Sequence, residues 1–157
     1  MKGDSDVVDL LNELLTHELT AINQYFIQAE MCKNWGFERL YQKLREASFG
    51  EMKDAQRLIR HILYLEGVPN LQRMGTVRVG ENVPEHLELD LQIEHQAVET
   101  LAEAIAHCTQ VGDYTTRGIL EEMIQGEDED IDWLETQLEA IKQVGLENYL
   151  AQQIHEE

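Results

Sequence analysis

The feature that most constrains this chain is a set of three carboxylates that occurs twice. Glu18, Glu51 and Asp54 recur 76 residues further on as Glu94, Glu127 and Asp130. Residues three apart on a helix share a face, so Glu51 and Asp54 aim the same way, as do Glu127 and Asp130. One offset kept at three positions describes two similar halves, each a helical hairpin with a lone Glu on one helix and Glu-x-x-Asp on the next. Brought together, the halves would form a two-metal carboxylate centre inside a helix bundle.

Apolar periodicity places these acids on the buried faces. The spacing predicts a first helix from a cap at Ser5 or Asp6 to about Trp35, where Gly36 stops it, with the inward stripe Val7, Leu11, Leu14, Glu18, Ile22, Tyr25, Ala29. A second, from about Phe37 to Glu66, carries Leu40, Leu44, Ala47, Glu51, Asp54, Leu58, Ile62 and Leu65 inward. Asn82 as cap and Pro84 in the first turn open a third, closed by Gly112, with Leu87, Leu91, Glu94, Val98, Leu101, Ile105 and Cys108 on its stripe. The fourth runs from a cap at Asp113 to about Val144, with Leu120, Met123, Glu127, Asp130, Leu134, Leu138 and Ile141 inward.

At 157 residues the chain is expected to be a single domain, 1–157, with the bundle over about 5–144 and a short C-terminal helix over about 146–155. That last helix is amphipathic with nothing of its own to cover, which points to an oligomer contact. Helix formers dominate and Gly and Pro fall in a few clusters, so the class is all-α. The connection from Gly67 to Asn82, about sixteen residues, is too long for a turn between antiparallel neighbours. Extended, it reaches roughly 50 Å, enough to run back along a helix of about 45 Å and make the second and third helices parallel.

A formal charge of −19 repels nucleic acid and anionic membrane and attracts cations. No stretch has signal-peptide character or the apolar length of a membrane span, so a cytoplasmic location is expected. Cys32 and Cys108 stand alone, without a Cys-x-x-Cys, and read as reduced core residues.

Taken singly, an acid is most often a solvated side chain. Six carboxylates meeting inside four helices are another matter, because each unpaired charge in a dry interior costs several kcal/mol. No Lys or Arg occupies the inward stripes, so the counter-charge must come from bound cations. Hard oxygen donors in two related halves favour iron or manganese over zinc.

The residues around these acids resemble bacterioferritin, an iron-storage member of the ferritin-like superfamily. The resemblance covers nearly the whole chain, through Met1 to Asp4, Ala21 to Phe26, Asn34 to Gly36, Leu65 to Gln72, Ile131 to Thr136 and Gly145 to Leu150. It implies a ferritin-like four-helix bundle with a long crossover between helices two and three and a short fifth helix. It also implies a hollow homo-oligomeric cage of twenty-four subunits, open to mixing with a second ferritin subunit. Ferrous iron would be oxidised by dioxygen or peroxide at an intrasubunit di-iron ferroxidase centre and stored as ferric mineral, with an electron-donor protein supplying its release.

The family's glutamate ligands match Glu18, Glu51, Glu94 and Glu127. Where it has Glu-x-x-His in both halves, this chain has Asp54 and Asp130, and none of its six histidines falls at those positions. An Asp oxygen and an imidazole Nδ1 both hang from the γ carbon, so the reach is similar. The charge differs: four glutamates and two neutral imidazoles cancel two divalent ions, whereas six carboxylates leave two negative charges over, favouring ferric iron or a retained proton. Where members commonly carry His and Asp on the cavity side of the centre, Glu46 and Gly50 stand here. The competing reading is a catalytically weak, haem-holding subunit that co-assembles with an active one.

Met52 turns about 100° from the metal stripe, on a second apolar row with Phe49, Ile59 and Leu63 that should meet another subunit. By composition it is a gap-filling residue. The resemblance makes it the ligand of haem b shared between two subunits. Tyr25, seven residues after Glu18, reads as a buried tyrosine with a bonded hydroxyl; in similar proteins an aromatic beside the centre supplies an electron. Trp133 reads as packing.

Overall fold

A computed structural model describes residues 2–155. Met1, Glu156 and Glu157, the ends of the expected domain, lie outside the described residues. Four long helices, α1 (Ser5–Asn34), α2 (Glu38–Tyr64), α3 (Val83–Val111) and α4 (Tyr114–Val144), are followed by the short α5 (Leu146–Ala151). All are helical for the reasons their sequences give: side-chain caps at the starts of α1, α3 and α4, long runs free of Pro, and apolar faces of helical period.

The caps at Asn82 and Asp113 and the left-handed Gly112 (φ 76°) fall as expected. At α1 the cap is Asp4, not Ser5 or Asp6: its carboxylate accepts from the N–H groups of Asp6 and Val7. α2 stops at Tyr64, short of Glu66, and the Leu65 carbonyl accepts instead from Gly3 N–H at 2.8 Å.

α1 packs on α2, α3 on α4, and α1 on α3. The crossover does run back along α1. Asn70 N–H donates to Asn12 Oδ1, Gly75 N–H to Thr20 Oγ1 and Arg78 N–H to Gln24 Oε1, while Gln28 Nε2 donates to the Val79 carbonyl. These contacts climb α1 in chain order, so polar α1 side chains satisfy a strap that has no secondary structure of its own.

The core is two apolar clusters. One gathers Val7, Leu11, Leu14, Leu58, Ile62, Leu101 and Leu120; the other gathers Tyr25, Ala29, Leu40, Leu44, Leu87 and Leu134. Glu18, Glu51, Glu94 and Glu127 sit between the two sets on their helices, all buried. Several stripe positions are displaced by one. On α3, Asp90, Ala97 and Ala104 are buried where their neighbours Leu91, Val98 and Ile105 are only half-buried. Small residues let helices approach closely, and a reading by side-chain size alone picks their larger neighbours.

α5 is shorter than expected and does have something to cover. Tyr149 is buried in the second cluster, its hydroxyl donates to Gln137 Oε1 at 2.8 Å, and Arg39 N–H donates to the Gln153 carbonyl. It closes one end of its own bundle. No helix among the described residues is long and apolar enough to cross a membrane. Both cysteines are free and buried, and burial pushes the Cys32 thiol up to about 12 and the Cys108 thiol to about 11.

Candidate metal centre

The six acids meet. Ligand oxygens of Glu18, Glu51, Asp54 and Glu127 lie within 4.8 Å of one another, and those of Glu51, Glu94, Glu127 and Asp130 form a second such group. The groups overlap in Glu51 and Glu127. Two cations held there would share those two carboxylates, with Glu18 and Asp54 completing one side and Glu94 and Asp130 the other. The sequence repeat pairs Glu18 with Glu94 but gives no sign of which acids stand in the middle, since that depends on how α2 and α4 face each other.

Burial is uneven. Glu18, Glu51, Glu94 and Glu127 are each at most 4% exposed, and Asp54 is half-buried. Asp130, expected inside, is exposed as a residue; one of its oxygens still reaches the cluster while the rest of the side chain lies at the bundle surface. None of the six is in an ion pair among the described residues. One oxygen each of Glu18, Glu94 and Glu127 is buried with no hydrogen-bond partner, an arrangement costly for any charged carboxylate unless a cation fills the space.

The electrostatics follow from crowding. Burial, with the nearby Asp54 and Asp130 charges, pushes Glu18 up to about 7. Burial and the Glu18 charge push Glu51 well above the carboxylate range in turn, so the crowded pair favours a retained proton. Burial also raises Glu94 strongly, opposed by the Tyr25 hydroxyl, which donates to Glu94 Oε1 at 2.7 Å. Asp130 rises to about 6 through burial, with Lys43 drawing it down; Asp54 rises through burial, with Arg57 opposing.

A family model for the ferritin-like domain matches residues 8–144. The chain is 47% identical to the bacterioferritin of Mycobacterium leprae (strain TN), over 97% of this chain and 96% of that protein. It is equally similar to bacterioferritin BfrA of Mycobacterium tuberculosis (strain H37Rv), with the same coverage. Identity to the bacterioferritin of Brucella melitensis biotype 1 is 41%, over 95% of this chain and 92% of that one.

The chain belongs to the bacterioferritin family of ferritin-like proteins. Membership carries with it, in broad terms, iron storage by a multi-subunit ferritin-like cage. In this bacterioferritin-type chain Met52 points away from the acids and is 49% exposed, beside Phe49 at 45% and Leu63 at 57%. Ile59, expected on the same outward row, is half-buried and packs on the first core cluster instead, because α2 turns it back toward α1.

Sequence reading missed a second buried polar group one turn from Glu94. Gln24 Nε2 donates to Asp90 Oδ1 at 2.8 Å, and Asp90, fully buried, is pushed up to about 7. Its other oxygen and Gln28 Oε1 are both unpaired. The signal was there: Asp90 is four residues before Glu94 and three after Leu87, so it shares their face. A third acid group, Asp4, Asp6 and His107, lies at the start of α1, where Asp4 is already engaged as the cap.

Proposed function

We propose that this bacterioferritin-type chain is a ferroxidase subunit of an iron-storage cage. Two ferrous ions, the substrate, would be held by Glu18, Glu51, Asp54, Glu94, Glu127 and Asp130, oxidised by dioxygen or peroxide, and passed on as ferric mineral. The observation that carries the reading is the pair of four-acid groups sharing Glu51 and Glu127. It has the form of a two-metal site with two bridging carboxylates, lined by buried oxygens that nothing else satisfies.

Each residue has a stated part. Glu51 and Glu127 would bridge, and loss of the proton retained by the Glu18 and Glu51 pair would accompany cation entry. Tyr25, bonded to Glu94, is placed to give up an electron while its hydroxyl proton stays within the site. Haem b fits the exposed row of Phe49, Met52 and Leu63, which offers apolar contact and a thioether. Met52 would ligate one face, with the same residue of a second subunit on the other; such ligation raises the iron potential and suits electron transfer, here to release stored iron. A cage of twenty-four copies and a donor protein for those electrons complete the proposal.

Anaerobic titration with ferrous iron tests it: binding should saturate near two ions per subunit. On adding oxygen, stopped-flow absorbance should show a fast phase that is lost in Glu18→Ala. Ion binding without a fast phase supports the second reading, a weakly active haem-holding subunit that co-assembles with an active one. That reading is favoured by the exposure of Asp130, which leaves one side of the site less enclosed. Absence of ferrous binding overturns the metal centre itself.

A further inference from the structure

Six carboxylates around two divalent ions would leave two negative charges over, and that surplus strengthens the hold on a cation. The structure puts a cation at one side of the site. Lys43, Asp130, Tyr25, Ala47 and Trp133 line a single narrow cavity of about 20 Å³, room for about one water-sized molecule. The Lys43 ammonium lies 5.2 Å from the centroid of the Trp133 ring, and Trp133 is one helical turn from Asp130 on α4.

Lys43 is in no ion pair among the described residues. Its charge faces Asp130 across the cavity that the two side chains line together. The other half differs. Arg57, one helical turn from Asp54 on α2, is committed to a direct ion pair with Glu122.

We propose that Lys43 is the built-in counter-charge of the Asp130 side, a positioning residue that steadies the empty site and loosens its hold on a bound cation. The inference rests on the metal centre proposed above and adds a regulator to it. A fixed positive charge attracts the carboxylates when the site is empty and repels a divalent ion when it is full, so removing it has two effects of opposite kind. The metal-free protein becomes less stable, and the cation binds more tightly. A lysine that only packs on Trp133 would lower stability and leave affinity unchanged.

Isothermal titration of the metal-free protein with Zn²⁺, a redox-silent probe, tests this in the wild type and in Lys43→Met, Lys43→Arg and Lys43→Glu. Lys43→Met keeps the apolar stem and should bind Zn²⁺ roughly tenfold more tightly at its weaker step. Lys43→Glu should go further, and Lys43→Arg should match the wild type; melting temperatures of the metal-free forms should run in the reverse order. Unchanged or weaker Zn²⁺ binding in both Lys43→Met and Lys43→Glu overturns the role given to Lys43. A wild type that binds no Zn²⁺ overturns the metal centre instead, and the inference with it.

Discussion

Glu18 gives the sharpest test of the idea that this bundle is unstable without cations. Its carboxyl is 1% exposed, has an unpaired oxygen, and is pushed from 4.5 to about 7 by burial. A folded-state value above the unfolded one means that folding favours the protonated form. The stability from that proton is fully present below about pH 4.5 and is lost as pH rises through about 7. Over that window the loss is about 3 kcal/mol from this one group. Glu18→Gln keeps the shape and carries no charge. The metal-free variant should match the wild type near pH 4.5 and exceed it at pH 8 by about 3 kcal/mol, or roughly 6–12 °C in melting temperature for a domain of this size. Calorimetry of the metal-free protein across that pH range measures the difference. Adding Zn²⁺ at about a hundred times Kd should restore close to 3 kcal/mol to the wild type and much less to the variant, which has lost a ligand. If Glu18→Gln melts below the wild type at pH 8, or the gap between them does not widen with pH, the carboxylate is satisfied in some other way and the argument from burial fails.

Three further outcomes are expected. Tyr25→Phe removes the 2.7 Å bond to a Glu94 carboxyl whose other oxygen is already unpaired, so it should cost about 1–3 kcal/mol by calorimetry and abolish any tyrosyl radical seen by electron paramagnetic resonance during iron oxidation. Asp90→Asn keeps an acceptor for Gln24 and offers Gln28 Oε1 a donor; because Asp90 is raised to about 7, the variant should melt at or above the wild-type temperature at pH 8, while a clear loss would mean that the charged form is the stable one. Met52→Leu preserves the apolar outer row, so it should remove the visible absorption of haem from purified protein while leaving the fast phase of iron oxidation in place.

Legibility in the sequence followed physical locality. The helices and most of their ends could be read because capping and period act within a few residues: Asn82, Asp113 and Gly112 fall where their chemistry puts them. The start of α1 slipped by one or two residues because Asp4, Ser5 and Asp6 can all cap, and the choice rests on which carboxylate reaches the N–H groups of Asp6 and Val7. Asp90 escaped because a single acid beside Leu91 looks solvated until α1 lies against it with Gln24 and Gln28.

What the sequence determined by itself was that four glutamates would be buried at matched heights in two similar hairpins, since a 3.6-residue period leaves them no other face. Only the packed bundle decided that Glu51 and Glu127 stand between the two halves and that Asp130 sits at the rim. The same packing put Lys43 beside it. Those are relations between helices, set by axial offset and closest approach, and no pattern along one helix encodes them.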